Sequence, residues 1–423
     1  MTRHQAEARK PRLIFLTQWF DPEPALKGAA FARRLSELGF DVEVVTGFPN
    51  YPGGKVYDRY RVRPIQRQDF GDFRLTRLAL YPSHDSSKLG RILNYASFFI
   101  SATLYLTFGM RRCDVIYAYH PPLTTAVAAA AARIIKRTPV VLDIQDMWPD
   151  TLRATGMITS EGVLRIVGLV CRWTWRGVDR ISVISEGFRR LLIARDVPDF
   201  KISVVPNWAD ETVARASTGT TPEAFNVPGK FRVLFAGNMG AAQALDSVLD
   251  AAAIVAEERP EIEFWLLGSG IELDHLKLRV EREKLGNVRF LPRVPMADVG
   301  AYLSAAECLL VHLRADPLFT VTIPSKTQAY MAAGKPIIMA VEGDAAELIR
   351  RAGGGIVVPP QDPQRLAEAA CNLAGLPPEE LARLGANARR FYNEQLSFDR
   401  GTRTLAKLLH SVLKQAQPAE ISQ

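Results

Sequence analysis

Twice along this 423-residue chain, short apolar runs alternate with stretches of helical periodicity, and a polar break separates the two rounds. In the first round Leu13–Thr17, Val42–Thr46, Val115–Tyr119, Val140–Ile144 and Arg180–Ile184 read as buried strands, with helices near 28–38, 122–136, 160–177 and 186–195 between them. In the second, Arg232–Ala236, Glu263–Leu267, Val288–Leu291, Cys308–Leu313 and Pro336–Ala340 alternate with helices near 243–258, 271–284, 296–305 and 325–333. Strands that are apolar throughout are covered on both faces, and strands separated by helices pair in parallel. The class is therefore α/β, with two doubly wound, Rossmann-like domains. Length agrees, because a single core stops growing near roughly 300 residues. The break at 206–230 carries the Ser, Thr, Gly and Pro of a linker. The expected division is 11–205, a linker over 206–230, 231–396, and then 397–423 as a closing helix, free to cross back to the first domain, with a frayed tail. Two such domains facing across a cleft bind ligands at the carboxyl ends of their strands, so useful residues should follow strands.

A net charge of +8 favours anionic partners: nucleotides, phospholipid headgroups or lipid phosphates. No nucleic-acid recognition module or dense basic helix is present in the sequence. Cys113, Cys171, Cys308 and Cys371 lie far apart without a C-x-x-C pair, which argues against a zinc site and for free thiols in a reducing compartment. The apolar stretch Leu13–Leu16 is too short for a signal-peptide core. No window reads as the roughly 18 apolar residues of a spanning helix, the nearest being Phe98–Met110. The expectation is a cytoplasmic protein.

The run I-P-S-K-T-Q-A-Y-M-A-A-G-K-P at 323–336 carries the most chemistry. Pro324 and Ser325 mark a helix start, with Ser325 able to cap free amides, and Lys326 follows in the first turn. A cation at a helix's positive end is unfavourable unless an anion sits there, so the run is either an anion seat or an ordinary turn with a solvated lysine. Gly28 opens the first helix as a single glycine, without the G-x-G-x-x-G of a dinucleotide site. His120 follows a strand and reads equally as a cleft residue or a loop histidine. In L-D-I-Q-D-M-W-P-D at 142–150, Asp146 is best placed to orient or deprotonate a hydroxyl, Trp148 to stack on a sugar or simply pack, and Asp150 to cap the next helix. Ser185 reads first as an N-cap. Gly237, Asn238 and Gly240 form a turn able to accommodate phosphate, and Gly268 repeats the arrangement after the next strand. Arg314 is a candidate second cation, and Glu347 lies in a cap region or at a ribose contact. No D-x-D occurs, which argues for diphosphate binding without metal.

Taken together, T-G-F-P-N-Y-P-G-G-K at 46–55, L-Y-P-S-H-D at 80–85, Y-H-P-P at 119–122, L-D-I-Q-D-M-W-P-D at 142–150, A-G-N-M-G-A-A-Q at 236–243 and P-S-K-T-Q-A-Y-M-A-A-G-K-P at 324–336 resemble glycosyltransferase family 4 and its two-domain GT-B fold. The likeness is to the bacterial transferases that build O-antigen, capsule and colanic acid. It implies retaining transfer of a sugar from a nucleoside diphosphate, UDP first, to a lipid-linked saccharide. It also implies peripheral association with the anionic cytoplasmic face of the inner membrane, and no cofactor or metal. Gly28 would lie near the diphosphate, His120 would match the active-site histidine, and Asp146 would face the acceptor. Gly237, Asn238, Gly240, Gln243, Gly268, Arg314, Ser325, Lys326 and Glu347 would hold the donor.

The sequence departs from the family pattern. Where that pattern has G-R-x-x-x-x-K-G, this chain has Asn238 and Gln243, and the two positions of E-x7-E fall on Val321 and Ala329. Lys326, helped by Arg314, would replace the missing cations. A sugar-nucleotide epimerase or a non-catalytic scaffold are the alternative readings. The segment 88–112, basic at both ends and aromatic between, reads either as a membrane-surface segment or as a buried helix of the first domain.

Overall fold

The computed structural model describes residues 9–83, 88–212, 225 and 228–416. The L-Y-P-S-H-D stretch leaves the described residues after Ser83, as does most of the 206–230 linker and the tail after 416. The chain divides into two compact units. One runs through Ile184, Arg189–Val205 and from Thr402 onward; the other comprises Ser185–Phe188 and Pro206–Gly401.

The first unit is built on eight strands: β1 (Arg12–Leu16), β2 (Asp41–Gly47), β3 (Ile65–Asp69), β4 (Phe73–Leu78), β5 (Val115–His120), β6 (Val140–Ile144), β7 (Arg180–Val183) and β8 (Ile202–Val204). Their order is β3-β4-β2-β1-β5-β6-β7-β8. Every pairing is parallel except β3 with β4, so the sheet is mixed where an all-parallel one was expected. The apolar runs of β1, β5 and β6 are buried along their lengths, as strands covered on both faces must be. β3 is I-Q-R-Q-D and mostly exposed, a polar edge that resists pairing with another chain. Helices α1 (Ala29–Glu37), α2 (Lys88–Leu104), α3 (Leu123–Lys136), α4 (Asp150–Ala154), α5 (Glu161–Gly177) and α6 (Glu186–Ile193) complete it. α3 buries alanines at 126, 128, 129, 130 and 132, and these small side chains let α2 and α5 pack on either side of it.

One expectation is corrected here. α2 continues through a π-helical turn, and Leu89–Gly109 is one run long and apolar enough to cross a membrane, by length and composition, with a third of its best window buried. The sequence count stopped at Phe98 because Tyr95, Ser97 and Asn94 interrupt the apolar residues; Asn94 in fact turns inward to Gln18 and Asn50.

The second unit holds β9 (Phe231–Asn238), β10 (Ile262–Ser269), β11 (Val288–Leu291), β12 (Cys308–His312), β13 (Ile337–Ala340) and β14 (Gly355–Val358), in the order β11-β10-β9-β12-β13-β14 and parallel throughout. Its helices are α7 (Asp246–Glu258), α8 (Leu273–Glu283), α9 (Met296–Ala305), α10 (Ser325–Ala333), α11 (Asp344–Ala352), α12 (Pro363–Ala374) and α13 (Pro378–Phe391). Alternation along β9 feeds two cores. Val233 and Phe235 pack with residues of α7 and α12, whereas Leu234 packs with residues of α10 and α11 on the opposite face. The last helix, α14 (Phe398–Ala416), leaves the second unit at Gly401. It buries Leu405, Leu409 and Val412 and stacks His410 on Phe40 of the first unit at 4.5 Å. Of the four thiols, Cys113, Cys171 and Cys308 are buried and Cys371 is half-buried.

Candidate active site

In the first unit the chain's own groups fill much of the carboxyl edge of the sheet. Lys27, in the loop before α1, is buried and donates to Tyr117 at 2.9 Å and to Asp143. Asp143 also accepts from Tyr117 at 2.6 Å, Gln145 at 2.9 Å and Ser182 at 2.8 Å. This carboxylate is fully committed to an internal pair, which leaves Asp146 as the available acid of the 142–150 segment. Gly28 is the N-cap of α1, but the next amide, that of Ala29, donates to the carboxylate of Asp21. A β-carbon on Gly28 would lie 2.2 Å from that carboxylate, so the glycine makes room for an internal anion. The expectation that Gly28 opens these amides to a ligand is corrected to that extent.

His120 is the last residue of β5 rather than a loop residue, paired in register with Ile144. Its ring is buried, both nitrogens lack a hydrogen-bond partner, and burial pulls its pKa down to about 4. A neutral imidazole can donate one hydrogen bond and accept another, and here neither is made within the chain. Trp148 lies edge-on to it at 5.5 Å. Asp146, beside them, is half-buried and burial raises its pKa. Asp150 is the first residue of α4, where it accepts from Arg195 at 2.7 Å.

In the second unit the carboxyl ends of β9, β10 and β12 converge. Gly237 and Gly268 are paired in register and adopt φ of +144° and +138°, angles that disfavour any side chain. A β-carbon on Gly268 would strike the carbonyl of Gly237 at 2.1 Å. Gln243 accepts from the amide of Gly240 at 3.1 Å, closing the turn after β9. Asn238 stays exposed beside it. Tyr330 accepts from the amide of Ala236 at 2.8 Å and donates to its carbonyl at 3.2 Å, fixing α10 to the end of β9. One turn earlier on the same helix, Lys326 reaches back to the glycine turn: its ammonium lies 3.5 Å from the centre of the Phe235 ring and 3.2 Å from where a Gly237 β-carbon would be. That nitrogen is buried without a hydrogen-bond partner, and burial lowers its pKa from 10.5 to about 7.

Three further findings refine the donor set. Pro324 is the N-cap of α10 and Ser325 its first residue, exposed and making no capping bond, because proline fixes the entry one residue earlier. Arg314 donates its backbone amide to Ala242 at 2.9 Å, which brings it to the same turn, and its guanidinium pairs with Asp316 at 3.2 Å. Glu347 lies in the first turn of α11, exposed and 3.8 Å from Arg350. Sequence reasoning missed His312. This buried residue donates from Nδ1 to the carbonyl of Gln243 at 2.7 Å, and burial, with Lys326 nearby, lowers its pKa to about 4.

Residues 29–208 match the family described as "Glycosyl transferase 4-like domain", and residues 230–375 match "Glycosyl transferases group 1". The chain is similar to the probable glycosyltransferase WbjE of Pseudomonas aeruginosa, 26% identical over 72% of this chain and 77% of that protein. It is also similar to the putative colanic acid biosynthesis glycosyl transferase WcaI of Escherichia coli K12, 27% identical over 73% of this chain and 77% of that one. Among solved structures, Anabaena HepE in complex with UDP superposes with a TM-score of 0.66 at 17% identity, covering 95% of this chain and all 100% of HepE. Sucrose-phosphate synthase from Thermosynechococcus elongatus gives 0.69 at 17% identity, over 96% and 100% of the two chains. These structural likenesses carry the fold.

Proposed function

Because the chain is a glycosyltransferase of the GT-B class, belonging to the family that joins a 4-like domain to a group 1 domain, we propose that it moves a sugar from a nucleoside diphosphate, UDP in the first instance, onto a growing lipid-linked surface polysaccharide with retention at the anomeric carbon. The observation that carries the donor half is Lys326: a buried ammonium with no partner, held over Phe235 beside a glycine turn. A charge left unpaired in a protein interior is costly unless a ligand completes it. The structures of Anabaena HepE in complex with UDP and with UDP-glucose support a sugar nucleotide as that ligand.

The chemistry follows from charge. The bond between the anomeric carbon and the diphosphate oxygen breaks as the acceptor oxygen bonds to the same face, and the acceptor's proton passes to the departing phosphate oxygen. Lys326 and the free amides at the start of α10 stabilise the negative charge that grows there, without a metal. Neutral His120 hydrogen-bonds a sugar hydroxyl, and Asp146 orients the acceptor hydroxyl beside Trp148. Asn238, Gln243, Gly240, Gly268, Arg314, Ser325 and Glu347 line the donor side in this reading.

Work at the cytoplasmic face of an anionic inner membrane belongs to the same proposal. It is supported by the outward residues Leu89, Ile92, Ile100, Leu104 and Phe108 of the α2 run, 54 to 80% exposed, followed by exposed Arg111 and Arg112. The test is turnover: sugar nucleotides are screened for thermal stabilisation, the best is assayed with a lipid-linked acceptor, and the product anomer is read by NMR. Inverted product, or normal turnover in Lys326→Ala, overturns the reading. An epimer formed without acceptor would replace it by the epimerase alternative.

A further inference from the structure

The turn that follows β9 is held in a shape that a chain does not take by preference. Gly240 opens one 3-10 turn over Ala241–Gln243, and Ala244 ends it at φ +45° and ψ +48°. A residue with a β-carbon stays in this left-handed region only where its surroundings hold it there. Local bonds supply part of the hold. The amide of Gln243 donates to the carbonyl of Gly240 at 2.9 Å, and the side-chain oxygen of Gln243 accepts from the amide of Gly240 at 3.1 Å. Two backbone bonds tie the turn to its neighbours: Met239 donates to Ser269, the last residue of β10, at 2.9 Å, and Arg314 donates to Ala242 at 2.9 Å.

His312 adds a hold of another kind. It ends β12, paired in register with Ala340, and is buried. Its Nδ1 lies 2.7 Å from the carbonyl oxygen of Gln243, the residue just before Ala244. A carbonyl has no proton to give, so Nδ1 carries the hydrogen and the tautomer is set. Burial keeps the ring neutral, and the charge of Lys326 opposes a second one beside it. Among the described residues, this is the one side-chain donor that reaches the 239–244 turn from another strand. The turn it holds carries Asn238 and Gln243 where the family pattern has cations. With its oxygen on Gly240, Gln243 keeps an amide nitrogen with two hydrogens uncommitted among the described residues, and Asn238 is exposed beside it. A displaced cation keeps most of its attraction for an anion, because Coulomb energy falls only inversely with distance. A hydrogen bond from a neutral amide weakens steeply with distance and angle. A turn that has exchanged cations for amides therefore depends on being held in place.

We propose that His312 is a positioning residue for the donor: its Nδ1–H bond to Gln243 holds the turn in the shape that presents the side-chain amides of Asn238 and Gln243 to a diphosphate. The inference rests on the donor half of the transferase reading, and adds the group that lets neutral donors serve there in place of cations.

Two substitutions separate a hydrogen bond from the mere filling of space. His312→Leu keeps the bulk and loses the donor, whereas His312→Asn loses bulk and keeps an N–H near the place of Nδ1. Hydrogen–deuterium exchange of the full chain without ligand reads the hold itself. The amides of Gly240 and Gln243 should exchange faster in His312→Leu than in wild type and stay near wild type in His312→Asn. Calorimetric titration of UDP reads the use of that hold. Affinity should fall roughly tenfold in His312→Leu, the worth of about one neutral hydrogen bond, and mostly return in His312→Asn even if that variant melts lower. A role in packing alone predicts the reverse order, with leucine the better replacement. A leucine variant that exchanges and binds like wild type, or one that matches or surpasses the asparagine variant, overturns the proposal. A wild type that binds neither UDP nor any sugar nucleotide sinks the donor reading instead, and the exchange comparison, made without ligand, still decides whether His312 holds the turn.

Discussion

Replacing Lys326 by methionine should stabilise the empty protein while removing its hold on a diphosphate. Lowering this amine from 10.5 to about 7 costs the ammonium form on the order of 5 kcal/mol, at about 1.4 kcal/mol per pH unit. That figure is an upper bound, because real interiors relax around a charge. The contact with Phe235 at 3.5 Å is already part of the native environment, and a desolvated cation–π pair lost on substitution is worth about 2 kcal/mol. The net gain expected for Lys326→Met is therefore at most about 3 kcal/mol at pH 6. The sign follows from proton counts. Between pH 7 and 10.5 the unfolded chain keeps this proton and the folded chain does not, so the wild type gains stability as pH rises through 7. The advantage of the methionine variant is greatest below pH 7 and fades toward 10.5. Urea unfolding of both proteins at pH 6 and pH 9 measures it. A variant less stable than wild type at pH 6, or a difference that does not shrink at pH 9, refutes the reasoning.

Other outcomes follow from the same geometry. Gly237→Ala, at φ +144° and with its new carbon 3.2 Å from the Lys326 nitrogen, should weaken UDP binding roughly tenfold by calorimetry, with only about 1 to 2 kcal/mol lost in stability. Asp143→Asn leaves Lys27 buried without its carboxylate and should cost about 3 to 5 kcal/mol in urea unfolding, and a loss below about 1 kcal/mol contradicts the assigned role. His120, held at about 4 in the empty protein, should contribute no inflection to kcat/KM between pH 5.5 and 8, and His120→Asn should lower kcat/KM without moving that profile. Turnover should survive exhaustive treatment with a chelator; a requirement for added divalent metal would remove the metal-free mechanism.

What could be read from the sequence was what repeats locally. The central strands and their helices are apolar runs followed by periodic segments, and Lys326 announces itself as a cation where a helix dipole repels one. The edge escaped, because β3 is polar and β4 alternates as F-R-L-T-R-L, so neither forms an apolar run. Lys27 escaped because its partner Asp143 is 116 residues away. His312 was hidden in C-L-L-V-H, where one histidine ending an apolar strand reads as core. Ser325 was given a capping role that Pro324 occupies by one residue. Arg153, Arg165 and Arg195 line one groove from α4, α5 and two residues past α6, and no local window joins them. Long-range charge pairing is what a single chain's pattern leaves unwritten.

The central claim is that a nucleoside diphosphate completes the unpaired ammonium of Lys326. Calorimetric titration of UDP at pH 8, in two buffers of different ionisation enthalpy, tests it directly. With the amine's pKa near 7 in the empty protein, an arriving diphosphate should raise it and draw in close to one proton per UDP bound, an uptake absent from Lys326→Met. Binding that takes up no proton and is equally tight in the variant would contradict the account.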